Sequence, residues 1–285
     1  LGSVLLLAAI GLAITFGVMG VINMAHGEMV MLGAYTTFVV SSLTSSYAPA
    51  FGPYYFFLAI ILSFFIAGAI GWLVEWAMIS KLYQRPLDTL LATWGLSLVM
   101  QQGFRSIFGA REVSATLPDW LMGSWNPTEA IDIPRNGLFV MGLTLLLTAL
   151  LFLMIYRSRW GLQVRATMQN RVMARSVGIN TKRVDRMTFA LGCGVAGVAG
   201  AAFTTIGSTG PTAGSLYIVD TFLVVVFGGA SSLLGTIASA FSIAQAQSLL
   251  EFFTSGSMAK VFTLSAVVLI LMLRPQGLFS AKVRK

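Results

Sequence analysis

Long apolar stretches, separated by short polar links, dominate the chain. They cover residues 4–23, 29–46, 55–79, 89–108, 137–156, 187–206, 218–250 and 261–273. About 20 apolar residues in a helix span a hydrocarbon core of about 30 Å, and the alternating pattern of a membrane β-barrel is not seen in this sequence. The pattern predicts an all-α fold, a polytopic transmembrane helical bundle that forms a single domain over residues 1–285.

Composition agrees with a membrane location. Hydrophobic residues make up 56% of the chain and charged residues 10%, whereas a soluble domain averages roughly 25% charged residues. The net charge of +8 does not indicate nucleic-acid binding, because excess Lys and Arg in a membrane protein usually mark its cytoplasmic loops. We therefore expect the lipid bilayer, and no nucleic acid, as a partner.

The charges of the links predict the topology. The link at residues 81–88 carries two basic residues, and the link at 157–186 carries eight against one acid, so both should be cytoplasmic. The link at 110–135 has four acids and two arginines and should face outside. The basic tail from residue 274 should be cytoplasmic. Two apolar stretches lie between the external link at 208–217 and this tail, and an odd number of crossings is needed, so one stretch must break or re-enter.

Glycine clusters indicate where helices break. The stretch at 218–250 contains FGGASSLLG, in which Gly228, Gly229 and Ser231 are poor helix formers. Four glycines interrupt the N-terminal half in the same way, at Gly17, Gly20, Gly27 and Gly33. Paired glycine-interrupted segments are typical of a transporter's midplane pathway. We therefore predict broken or re-entrant helices in both halves, with Gly228, Gly229 and Ser231 beside the pathway.

Another set of small residues predicts close packing instead. Gly192, Ala196 and Gly200 recur every four residues in ALGCGVAGVAGAAF. This spacing places them on one face of a helix, where they let a neighbouring backbone approach closely.

Titratable residues within the apolar stretches are candidates for function, because each ionised group costs about 2.5 to 3.5 kcal/mol at a membrane helix centre. If one helix ends near Asn23 and the next begins near Gly27, Glu28 lies in a first helical turn, where the helix dipole favours its charge. Asn23 and His26 would then lie in the break. We predict that these three residues line or brace the substrate pathway near the interface of two permease subunits; the alternative is that they are only structural caps.

Two further acids have simpler interpretations. Glu75, between Trp72 and Trp76, is expected to pair with a neighbouring helix. Asp220 is expected to cap a helix on the outer side.

The basic link contains an apolar stripe. Val164, Met168, Val172 and Val177 fall on helical spacing and predict a short amphipathic helix that ends at Gly178, with Asn180 as the N-cap of the next helix. Such a stripe suits a partner's groove or the membrane interface, and we favour a protein partner. The candidate contact residues are Val164, Met168, Val172, Ala174, Arg175 and Gly178.

Signatures of enzymes are missing from the sequence. It has no G-x-x-x-x-G-K-[ST] motif for ATP, and a single His and a single Cys give no basis for a metal site or an intramolecular disulfide. We therefore expect no catalytic residues, no metal and no cofactor.

Several segments resemble a known family. GLAITFGVMGVINMAHGEMVMLGAY, KLYQRPLDTLLATWGLSLVMQ, YRSRWGLQVRATMQNRVMARSVGINTKRVDRMTFALGCGVAGVAGA and LRPQGLFS are similar to the permease subunits of ABC importers of the branched-chain amino acid and urea type. Within that group, SLYIVDTFLVVVFGGASSLLGT and GAREVSATLPDWLMGSW resemble the urea branch most.

The resemblance implies a multi-pass permease of the bacterial inner membrane that moves a small polar solute inward by alternating access, with urea as the expected substrate. Branched-chain amino acids are the alternative, and a stand-alone channel or secondary transporter is an alternative of another class. The implied partners are a second, homologous permease in a heterodimer, two cytoplasmic ATPase subunits that hydrolyse ATP, and a periplasmic substrate-binding protein. Residues 157–186 would supply the coupling helix.

Overall fold

The computed structural model describes residues 2–83, 85–128, 131–229, 232–274 and 277–278. Most of this part of the chain is helical, and five of its helices are long and apolar enough to cross a membrane: His26–Tyr47, Tyr55–Leu82, Arg135–Arg157, Thr181–Phe203 and Gly256–Leu273. The predicted polytopic helical bundle is therefore confirmed.

The helices follow one another along the chain, and the longest link, residues 109–134, joins α5 to α6. The first five are α1 (Gly2–Met19), α2 (His26–Tyr47), α3 (Tyr55–Val74), α4 (Ser80–Leu82) and α5 (Pro86–Phe108). A π-helical turn, Glu75–Ile79, joins α3 to α4, and two 3₁₀ turns lie at Pro49–Phe51 and Asp119–Leu121. The strands β1 (Ser124–Thr128) and β2 (Ile131–Pro134) form an antiparallel hairpin. The remaining helices are α6 (Arg135–Arg157), α7 (Arg159–Gln169), α8 (Arg171–Ser176), α9 (Thr181–Phe203), α10 (Ala213–Gly228), α11 (Leu233–Phe253) and α12 (Gly256–Leu273).

Helix α9 lies at the centre, against α1, α2 and α3. A Cβ atom added to Gly192 would lie 2.6 Å from the carbonyl oxygen of Gly11 in α1, and one added to Gly200 would overlap the carbonyl group of Val30 in α2. Ala196 is fully buried between them. The close packing predicted for Gly192, Ala196 and Gly200 is confirmed.

The first predicted break is present, but its position and its glycines differ from the prediction. Helix α1 ends at Met19 rather than near Asn23, and α2 begins at His26. Gly20 has φ of +65°, a conformation that glycine adopts without strain. Gly27 and Gly33, predicted as interruptions, instead lie within α2, where they let Gly214 and Gly197 approach the helix backbone.

The second break divides the predicted stretch at 218–250. Helix α10 ends at Gly228, Gly229 has φ of +94°, and the Ser232 hydroxyl accepts a hydrogen bond from the Gly235 amide (3.0 Å) at the start of α11. Ser231 lies outside the described residues. In the described part of the chain, three helices therefore follow the link at 204–212: α10, α11 and α12. Of these, α12 is long and apolar enough to cross a membrane and α10 is a shorter apolar helix, so the odd number of crossings stays a prediction.

Two acids have partners on other helices. The Glu75 carboxylate, in the π-helical turn, accepts a hydrogen bond from Arg186 Nε of α9 (2.9 Å), which confirms the expected pairing. The prediction that Asp220 caps a helix is wrong, because this residue lies in the middle of α10. Its carboxylate pairs with the Lys260 ammonium of α12 at 2.8 Å.

The contact between α2 and α9 gives a stability prediction. A Cβ atom on Gly33 would lie 2.7 Å from the Cα of Gly197, so Gly33→Ala forces the two helices apart. We expect a loss of about 1–3 kcal/mol, typical of overpacking, measured as a lower Tm in detergent. The matched control is Gly142→Ala in α6, where the added Cβ has open space and should leave Tm equal or raise it. Equal Tm values for both variants would contradict this packing.

Candidate functional site

Three predicted site residues, Asn23, His26 and Glu28, are buried at the first break, each at most 1% exposed. Glu28 lies in the first turn of α2, as predicted. The imidazole Nε2 of His26 lies 3.1 Å from the carbonyl oxygen of Ala8. Since a carbonyl only accepts, Nε2 carries the proton and His26 ties the start of α2 to α1. His26 and Glu28 do not pair with each other, because each is held by a different helix.

The Glu28 carboxylate bonds to α5. Its Oε1 accepts hydrogen bonds from the Ser97 hydroxyl and from the Gln101 amide, both at 2.8 Å. The Gln101 amide also donates to the Ser97 hydroxyl (3.1 Å). A buried carboxylate that accepts two hydrogen bonds is a strong link between helices, so Glu28 joins α2 to α5.

A polar stripe along α5 was missed in the sequence. Thr89, Thr93, Ser97 and Gln101 recur every four residues and therefore lie on one face. Besides the bonds to Glu28, the Thr93 hydroxyl accepts from the Met24 amide in the break (3.1 Å). The stripe could have been found from its spacing, since polar side chains often join membrane helices.

Some buried polar atoms at the first break make no hydrogen bond within the part of the chain that the structure describes. Asn23 Nδ2, His26 Nδ1 and Glu28 Oε2 are buried, and none has a partner among the described residues. The geometry therefore combines bracing contacts with unused donors and acceptors that could bond water or a polar solute.

The structure does not bring the two predicted halves of the pathway together. Glu28 Oε2 lies beside Gly214, near the start of α10, whereas Gly228 is the last residue of that helix. At about 1.5 Å per residue the separation along the helix is roughly 20 Å. Gly228 packs against Gly235, and the Phe227 carbonyl accepts from the Leu278 amide (2.9 Å). These glycines therefore form a turn near the start of the C-terminal tail, away from Glu28.

A cavity of about 760 Å³ lies between α1, α10 and α11, with Glu112 of the link at 110–135 and Lys260 of α12 also in its lining. We call it the outer cavity. None of the predicted pathway residues that the structure describes lines it. Its polar lining residues include Glu112, Tyr217, Asp220, Gln247, Glu251 and Lys260. Sequence reasoning missed it, although Lys260 in an apolar helix is an available signal for function.

The prediction of a single amphipathic helix in the basic link is wrong. The chain forms α7 and α8, because Asn170 interrupts the helix and caps α8 by accepting from the Met173 amide (3.0 Å). Gly178 follows with φ of +86°, and Asn180 caps α9 by accepting from the Arg183 amide (3.1 Å), as predicted.

The candidate contact residues of this link divide into two groups. Val164 and Ala174 are 2% and 3% exposed; they pack inward, so their assignment to a docking face is wrong. Other apolar side chains face outward, and Val172 and Val177 are about three-quarters exposed. We call the exposed group, Met168, Val172, Met173 and Val177, the apolar patch.

Helix α8 is fixed to the first turns of α9. The Arg171 guanidinium donates to both carboxylate oxygens of Asp185 (2.8 and 3.0 Å) and to the Tyr83 hydroxyl (2.8 Å). Arg175 Nε donates to the Thr181 hydroxyl (2.9 Å). Burial raises the pKa of Tyr83, so its phenol stays protonated at neutral pH. Arg175, a predicted partner contact, thus has a contact inside the chain.

Comparison with known proteins places the chain in a family. The family model described as "Branched-chain amino acid transport system / permease component" matches residues 1–273. The permease protein LivH of Escherichia coli K12 is 28% identical, and LivH of Salmonella typhimurium LT2 is 30% identical; each alignment covers 98% of this chain and 92% of the relative. BraD of Pseudomonas aeruginosa is 26% identical, over 97% and 92%. No solved structure matches. The chain therefore belongs to the permease family of branched-chain amino acid transport systems.

Proposed function

We propose that this chain is the permease subunit of an ATP-driven importer that moves branched-chain amino acids inward across the bacterial inner membrane. The observation that carries the proposal is the family match over residues 1–273. The relatives cited above are each named as a high-affinity branched-chain amino acid transport system permease protein. This favours amino acids over the urea that the sequence led us to expect.

Urea remains a second candidate because of two segments. From the sequence alone we expected residues 215–236 and 109–125 to follow the urea branch, and identities of 28% and 30% to LivH leave room for a change of substrate.

The proposed machine contains a second, homologous permease, two cytoplasmic ATPase subunits and a periplasmic binding protein. ATP binding and hydrolysis in the partners would shift the permease between outward- and inward-facing states, so this subunit needs no ATP site. We propose residues 157–186 as the coupling region, with the apolar patch docking into a groove of an ATPase subunit.

For the first break we propose a bracing role. His26 ties α2 to α1, and Glu28 ties α2 to α5. The break would then act as a fixed joint between three helices.

Uptake by the reconstituted importer tests the proposed function. Liposomes that contain both permeases and the ATPases, supplied with binding protein and internal ATP, should accumulate labelled leucine. Accumulation should stop when the ATPase subunits lose their catalytic residues. Import of urea without leucine would select the second candidate, and uptake that needs no ATP hydrolysis would indicate a channel or secondary transporter.

Variants of Glu28 test the brace. Glu28→Ala leaves the Ser97 and Gln101 donors without their acceptor and should cost about 1–3 kcal/mol, measured as a lower Tm in detergent. Glu28→Gln retains the accepting Oε1 and should lose less. Asp119→Ala, an exposed acid in the outer link, is the control and should leave Tm unchanged. A Glu28→Ala variant as stable as the parent would rule out the brace, and a stable Glu28→Gln variant with altered uptake would indicate a pathway role.

Val172→Asp tests the apolar patch. Because Val172 is 74% exposed, the substitution should not disturb the subunit itself, but it would bury an unpaired charge in the docked complex. We expect normal insertion and about tenfold weaker substrate-stimulated ATP hydrolysis. Met122→Asp, an exposed apolar residue between the outer 3₁₀ turn and β1, is the control and should leave stimulation unchanged. Full stimulation with Val172→Asp would remove the patch from the interface.

A further inference from the structure

The outer cavity combines charged and apolar walls. Its volume of about 760 Å³ lies within the range of roughly 300–1,000 Å³ that is usual for small-molecule sites. Three carboxylates and one ammonium line it, from Glu112, Asp220, Glu251 and Lys260, whereas the whole chain has a net charge of +8. The apolar lining includes Leu5, Leu216 and Phe241. The cavity therefore offers both signs of charge next to hydrocarbon.

The ion pair between Asp220 and Lys260 is the feature of this cavity that structure alone does not explain. Both residues lie in otherwise apolar helices, α10 and α12, and both line the cavity. Their charged atoms are 2.8 Å apart, and the Lys260 side chain is 41% exposed. A partly exposed ion pair such as this one, with the Asp220 side chain 23% exposed, usually contributes little to stability. Ionisable residues inside membrane helices are instead characteristic of substrate and ion pathways.

We propose that the outer cavity binds an α-amino acid as its zwitterion, with Lys260 pairing with the carboxylate and Asp220 with the ammonium. Leu5, Leu216 and Phe241 would contact the apolar side chain of the substrate. This inference rests on the proposed function and assigns it a site.

Exchange of partners makes the binding reversible. The substrate carboxylate replaces Asp220 as the partner of Lys260, and the substrate ammonium replaces Lys260 as the partner of Asp220. Neither Asp220 nor Lys260 is left unpaired in either state, so the site can accept and release its ligand, as a transport path requires. Urea carries no charge and cannot replace either partner in this exchange.

Cysteine protection in the assembled importer tests the site. Ser248 of α11 lines the cavity and is exposed, while the native Cys193 is fully buried. A thiol reagent should therefore modify this chain at position 248 in the Ser248→Cys variant. We expect leucine to slow the modification, and urea to leave it unchanged.

The paired substitution Asp220→Asn with Lys260→Met removes both charges, so neither is left unpaired. Added to Ser248→Cys, it should raise the leucine concentration needed for half-protection by about tenfold or more, the loss expected for charge-assisted hydrogen bonds, while the permease still assembles. Arg85→Met with Asp88→Asn is the matched control, because this pair is exposed and lies outside the cavity lining. It should leave protection unchanged.

The outcomes separate this site from the proposed function. If the parent imports leucine but leucine never slows modification of Ser248→Cys, the site is wrong and the function stands. If the neutral pair assembles and is protected by leucine as well as the parent, the ion pair is only structural and the proposal fails. If the importer carries urea but not leucine, the proposed function fails and the zwitterion site fails with it.

Discussion

Contact between helix backbones along α9 is the constraint on which the rest of the fold depends. Helices in lipid gain little stability from burying apolar surface, so close van der Waals contact between small residues supplies much of the stability of their packing. Gly192, Gly197 and Gly200 bring α1, α3 and α2 against a single helix. Because α1 and α2 both pack on α9, the break between them is held from both sides. The position of Glu28 and His26 follows from that arrangement.

The sequence contained enough information for the helices and for the existence of both breaks, because apolar length and glycine clusters are local signals. It did not distinguish the role of each glycine. Gly20 has a positive φ and lies in the break, whereas Gly33 is helical and packs against Gly197. Both positions are glycine, and only the packing of a neighbouring helix determines which role each glycine has.

The candidate site was predictable only in part, for a similar reason. The sequence correctly predicted that Glu28 lies in the first turn of a helix, because this position depends only on residues next to it in the chain. Its partners Ser97 and Gln101 are about 70 positions away, and Lys260 is 40 positions from Asp220. The spacing of residues within one helix does not predict such contacts between residues on different helices. Val164 and Val172 share one sequence pattern, yet the interruption at Asn170 directs them to opposite environments, one buried and one exposed.

The attachment of α8 to α9 has a mechanical consequence. Two hydrogen bonds from Arg171 to Asp185 and one from Arg175 to Thr181 make this corner stiff, and α9 carries α1, α2 and α3 through contacts that leave no room to slide. A push on α8 would therefore move these four helices as one rigid lever. Helix α5 is joined to α2 through Glu28 and to the first break through the bond from the Met24 amide to Thr93, so a movement of that lever would reach α5 at this joint.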